Sequence, residues 1–186
     1  MKVGLFINTQ FPEGFNLAER VPEMVAQVRA ARDAGFASLW FPHHWLTHPM
    51  QMLQITPVMG YVAAHAQDMT IGPNILILPP LNPMHVAEEA ATLDVLTGGN
   101  YILGVGLGYR QPEFDAFGIS LSERAPRFNE SIALMRRLWT EEGDPQGPIL
   151  HSQRCRPRGE ANLPRRTAAL HSRAGRCVGE ARRADR

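Results

Sequence analysis

Between residues 2 and 139 the chain alternates two hydrophobic patterns. Four short apolar runs, KVGLFIN (2–8), SLWFPHH (38–44), TIGPNILILP (70–79) and YILGVGLG (101–108), read as strands. Between them apolar residues recur at helical spacing: Leu17, Val21, Met24, Val25 and Val28, then Val86, Ala90, Leu93 and Leu96, then Phe128, Ile132, Met135 and Trp139. The boundaries carry helix punctuation. Asn16 can cap the first helix, with Glu19 three residues on as in a capping box, and Gly35 ends it. Thr56-Pro57 predicts the start of a second helix reaching about Asp68. Asn82-Pro83 opens a third, closed by Gly98-Gly99, and a fourth begins near Pro126.

Strand starts near 2, 38, 70 and 101 are separated by about one βαβ unit, ~30 residues or slightly more. This alternation predicts an α/β fold with a parallel sheet covered by helices. A complete (β/α)8 TIM barrel takes ~250 residues, so about four β/α units make a partial barrel. A small, open, doubly wound sheet is the alternative.

Composition divides the chain. Residues 1–142 carry 9 basic and 14 acidic side chains, whereas 143–186 carry 10 Arg and 4 acids. All 14 aromatic residues and all eight Met lie in the first part. The expected organisation is therefore a half-barrel over 1–142 and an Arg-rich tail over 143–186. The tail is too poor in apolar surface to offset its ordering entropy, and is expected to be disordered or irregular. An altered reading frame or a truncation is the expected origin. An anion-binding arm is the other reading, but the tail lacks interleaved aromatics, so nucleic acid is not an expected partner. No run approaches the ~18 apolar residues of a membrane span, and no signal peptide is apparent. Cys155 and Cys177 match no zinc or redox spacing, so a reducing cytoplasm is the default expectation.

Two clusters carry chemistry. In YILGVGLG, alternation puts Tyr101, Leu103, Val105 and Leu107 on one face and Gly104, Gly106 and Gly108 on the other. The spacing G-x-G-x-G is not the dinucleotide fingerprint G-x-G-x-x-G. A bare inner barrel face, leaving room for something flat at its C-terminal end, is one reading, and glycine kept for packing alone is the other. In SLWFPHHWLTHP, His43, His44 and His48 stand where a strand gives way to a loop, the active-site end of a barrel. Alternation from Trp40 and Pro42 turns His44 inward and His43 toward the helices. His44 and His48 have an i, i+4 spacing that zinc can use, but Pro49 follows and no carboxylate or Cys cluster lies near, so no metal is expected.

KVGLFIN, AARDAGFASLWFPHHW, TIGPNILILPPLNPMHVAEEAATLDVLTGGNYILGVGLGYRQPEFDAFG and ERAPRFNESIALMRRLW, in that order, resemble the bacterial-luciferase-like superfamily of flavin-dependent oxidoreductases over residues 1 to about 142. The resemblance implies FMN or a deazaflavin coenzyme bound at the C-terminal ends of the strands. It implies an oxidoreductase of monooxygenase type acting on a small organic substrate, with a separate flavin reductase as a partner. The family's acid-His motif falls with its histidine on His44, the implied catalytic residue, and with His43 in place of the acid. A non-proline cis peptide supporting the flavin falls on Asn74 and Ile75. Phe6 falls on a pocket-lining position and Gly106 on one that lies against the flavin. The arginine that meets phosphate in luciferase is Leu107 here, leaving Arg110, Arg124 and Arg127 as candidate positive groups. The family's SGGR turn reads TGGN here, with Asn100 in place of its Arg. The second and third helices resemble the family's dimer interface, and unpaired outer strands favour self-association, so a homodimer is expected. A non-catalytic flavin-binding or dimerising half-barrel, and a metal-dependent hydrolase built on the histidines, are the competing functions.

Overall fold

The computed structural model describes residues 1–140; the tail expected over 143–186 lies outside them. Four β/α units follow one another. Strand β1 (Gly4–Phe6), β3 (Ser38–Phe41) and β5 (Thr70–Pro73) form a parallel sheet in that spatial order, with Phe6 opposite Trp40 and Trp40 opposite Gly72. The third predicted strand is split. After β5 the peptide between Asn74 and Ile75 is cis, and the chain resumes as β6 (Leu76–Ile77), paired in parallel with β7 (Val105–Gly106). A bridge between Ile71 and Tyr101 joins the two sheets, so the strand order runs on without a break. This is the partial TIM barrel that the spacing predicts.

The helices are α1 (Leu17–Asp33), α2 (Ile55–Ala66), α3 (Pro83–Leu96), α4 (Gln111–Ala116) and α5 (Arg124–Thr140). Their buried faces pack on one side of the sheet. Leu39, Phe41 and Ile71 project from the strands into a core with Val28 of α1, Met59 and Val62 of α2, Val86 and Leu93 of α3, and Met135 of α5. Trp139 seals the end of α5 by donating from Nε1 to the Ala87 carbonyl, 3.3 Å away. The opposite face of the sheet, carrying Gly4, Phe6, Trp40 and Gly72, is the inner wall of the barrel.

Local punctuation explains most boundaries. Asn16 Oδ1 accepts from the Ala18 amide at 3.1 Å and Asn82 Oδ1 from the Met84 amide at 3.0 Å, so each satisfies a helix-start donor. Glu19 bonds the Asn16 side chain rather than its backbone, a variation on the expected box. The second helix departs from expectation. It starts at Ile55 with Gln54 at the cap and no side-chain cap bond. Thr56 instead donates to Glu89 across the α2–α3 contact at 3.2 Å. A short helix the sequence did not announce, α4, follows β7, where Pro112 supplies the preset φ of a first helical turn.

A further antiparallel pair, β2 (Gln10–Phe11) with β4 (Gln51–Met52), clips the loop after β1 to the loop after β3. The Leu53 amide donating to the Thr9 carbonyl at 3.0 Å extends it.

Candidate active site

The C-terminal ends of β3, β6 and β7 converge with α4. Phe41 is buried, so Pro42 and His44 fall on the inner side and His43 on the helix side, as alternation requires. His43 is 5 % exposed, and its Nδ1 accepts from the Ile77 amide at 3.1 Å. It thus satisfies a donor where the third strand changes partners. Burial pulls its pKa from 6.5 down to about 4, outweighing the Gln54 side chain and the Glu113 charge, which act upward. His43 is therefore neutral at pH 7. The unfolded chain takes up this proton first, so stability falls as the pH drops from 6.5 to about 4. The loss approaches about 3 kcal/mol once both forms are protonated. Urea midpoints at pH 7 and pH 4.5 check this: His43→Gln should show the smaller acid-induced drop.

His44 is half-buried, and its Nδ1 lies 3.0 Å from Oε1 of Glu113. Glu113 is fully buried at the start of α4. The same Oε1 accepts from the Trp45 amide at 2.9 Å and from Arg110 Nη1 at 3.0 Å. An oxygen already receiving two donors acts toward the imidazole as an acceptor, so Nδ1 directs its N–H at Glu113 and Nε2 is the nitrogen turned away from that bond. That edge can take a proton from, or return one to, a bound molecule. Tyr109 packs edge-on against the imidazole, ring centres 6.0 Å apart, and is 71 % exposed. Trp45 lies between His43 and Phe117, at 4.1 Å and 4.8 Å.

The remaining expected residues distribute as follows. Asn74 is exposed and its amide extends the β3 ladder to the Phe41 carbonyl at 2.8 Å. Ile75 covers Gly106: a Cβ on Gly106 would come within 2.6 Å of the Ile75 Cδ1. The expectation of a bare glycine ridge open to a flat ligand is corrected here. The space in front of Gly106 belongs to Ile75, whose side chain is the surface presented to the barrel interior. Gly108 has left the strand, with φ +72°, a conformation that glycine adopts without strain. Phe6, 51 % exposed on the inner wall, is opposite Trp40. Arg110, expected as a positive group for the cofactor, is engaged elsewhere: it bonds Glu113 and the carbonyls of Trp45 and Leu46. Arg124 opens α5 half-buried beside Leu121, Ser122 and Ala125, apart from this hydrogen-bonded cluster. Among the described residues no group of three or more His, Cys, Asp or Glu could hold a metal ion. A hollow of about 300 Å³ bounded by Lys2, Ser38, Thr70 and Asn100 lies at the other, N-terminal end of the strands, away from the imidazole.

A sequence profile described as luciferase-like monooxygenase matches residues 1–180. The chain belongs to the luciferase-like monooxygenase family. The match runs past residue 142, where the resemblance carried by the motifs ends. The alkanal monooxygenase alpha chain of Photorhabdus luminescens, another family relative, is 26 % identical over 135 residues, covering 73 % of this chain and 35 % of that protein. Two solved structures share the fold. One is the oxygenating constituent of 3,6-diketocamphane monooxygenase from Pseudomonas putida in complex with FMN, with TM-score 0.67 and 19 % identity over 76 % of this chain and 41 % of that one. The other is an F420-dependent secondary alcohol dehydrogenase in complex with an F420-acetone adduct, with TM-score 0.63 and 25 % identity over 76 % and 42 %. The chain thus spans about two fifths of these luciferase-like structures. No described helix is long and apolar enough to cross a membrane.

One residue of this luciferase-like site escaped sequence reasoning. Glu113 supplies the carboxylate missing beside His44 in sequence, from 69 positions away. Its only sequence signal is PEF: a first-turn proline, then an acid directly before an apolar residue.

Proposed function

We propose that this chain forms the ring-binding half of the active site of a flavin- or deazaflavin-dependent oxidoreductase acting on a small organic substrate. The single observation that carries the reading is the His44 imidazole, fixed through Nδ1 by buried Glu113 so that Nε2 is turned away from that bond. The residues fit a planar ring. Ile75 presents an apolar surface made possible by the missing Cβ of Gly106, and Phe6 stands half-exposed on the inner face of the sheet. Asn74, exposed at the same rim, offers an amide to ring heteroatoms. Bound there, FMN or a deazaflavin would supply the redox chemistry.

The chain's own part is to position and to move a proton. Ile75 and Phe6 exclude water from one face of the ring. His44 exchanges a proton with the substrate oxygen through Nε2. Tyr109 shields the imidazole from bulk water. Arg124 is the remaining candidate for a phosphate contact, since α5 begins at this residue and Arg127, one turn on, is paired with Glu123 at 2.8 Å. The family match and its flavin-bound relatives support the class, and a monooxygenase fed by a separate flavin reductase is the specific activity we favour. A homodimer is proposed on the open outer edge of β1.

Titrating the purified protein with FMN, riboflavin and deazaflavin coenzyme tests the reading. Quenching of flavin fluorescence that weakens at least about tenfold in Ile75→Asp supports it, because a charge buried against an apolar ring face is strongly disfavoured. Equal binding by both proteins would sink it.

A further inference from the structure

Arg110 precedes α4, and its guanidinium points back into the rim. Nη1 donates to the Trp45 carbonyl at 2.7 Å and to Glu113 Oε1 at 3.0 Å, while Nη2 donates to the Leu46 carbonyl at 3.1 Å. The Trp45 amide returns to the same Glu113 oxygen. The bonds therefore close a ring: guanidinium to carboxylate, carboxylate to Trp45 amide, Trp45 carbonyl to guanidinium. His44 immediately precedes Trp45 and is bonded to the same carboxylate. Leu46 has φ 48°, a left-handed conformation that a side chain of this kind rarely adopts unless its surroundings hold it. Two successive carbonyls that converge on one planar cation provide that hold.

We infer that Arg110 is a positioning residue for His44, acting by clamping the Trp45–Leu46 turn and the Glu113 carboxylate against each other. The inference rests on the reading of His44 as the proton-handling group. A guanidinium is suited to the task because its rigid fork presents several donors at once, which an ammonium on a flexible stem cannot reproduce. Three of its five N–H donors are spent on these bonds, which turn the guanidinium into the rim. The clamp also joins the segment after β7 to the segment after β3, two barrel loops distant in sequence. The orientation of the imidazole is thus set from both sides of the rim.

Arg110→Lys and Arg110→Gln test this in the full chain by three readouts. Amide hydrogen exchange at Trp45 should accelerate at least about tenfold in both variants, with exchange at buried Val28 and Leu39 unchanged as evidence of an intact fold. The ¹⁵N signals of the His44 ring should change from one Nδ1–H tautomer to a mixture. The ratio of FMN to riboflavin affinity should stay as in the parent protein, because the phosphate is not touched. Unchanged Trp45 exchange and an unchanged tautomer would overturn the inference. So would a phosphate-specific loss, with the FMN-to-riboflavin ratio falling at least about tenfold while Trp45 is unaffected. If the parent protein binds neither flavin, the flavin reading fails by itself, and the exchange and ring signals still decide for or against the clamp.

Discussion

Replacing His44 by Gln is expected to lower flavin-dependent turnover by about 10²- to 10⁴-fold, the usual contribution of a positioned acid–base group. Gln keeps the polarity and approximate size of the imidazole and can still bond Glu113, so the rim should hold its shape. What it lacks is a ring nitrogen able to accept a proton from the substrate and hand it back. Flavin affinity should therefore move less than about threefold, the pattern of an interaction made only in the transition state. Parallel loss of binding and turnover would make the ring a binding element instead. Turnover at the parental rate would remove His44 from the chemistry.

The second large effect concerns stability. At Gly72 an added Cβ would press on the Ile102 carbonyl oxygen and lie 3.2 Å from Trp40 Cζ3. Ile102 cannot retreat, since its amide donates to the Ile71 carbonyl at 2.9 Å. Overpacking against fixed backbone belongs at the upper end of the usual range, so Gly72→Ala should cost about 3 kcal/mol. For a chain of this size that is a fall in Tm of roughly 6–12 °C. Gly60, inside α2, is the opposite case. No atom beyond its chain neighbours and its own helix backbone lies within 4 Å of its Cβ position, so Gly60→Ala should stabilise by roughly 0.5–1 kcal/mol through helix propensity. Thermal melts of the two variants beside the parent protein give the signs directly.

These two glycines also mark what the sequence reveals and what it withholds. The fold is legible because its determinants are local. Apolar period, cap residues such as Asn16 and Asn82, and unit spacing each report on a stretch shorter than one β/α unit. The inward turn of His44 follows from alternation for the same reason. Gly106 was readable only as a residue without a side chain. Which neighbour uses the space depends on Ile75, carried by a different strand whose course bends at the Asn74–Ile75 peptide. Glu113 and Arg110 lie further out of reach. Their partners sit on a loop about 65 to 69 positions earlier, and a charged pair at i, i+3 reads equally well as a solvated helix face. Thr56 is the converse: a good local cap signal overridden by a tertiary partner, Glu89.

The short antiparallel clip between Gln10–Phe11 and Gln51–Met52, reinforced by Gln51 Nε2 reaching the Pro12 and Phe15 carbonyls, fences one flank of the mouth around His44. A molecule approaching the imidazole meets paired backbone on that flank rather than two separate loops. Changes in the fence would then alter which molecules gain admission without touching the groups that act on them.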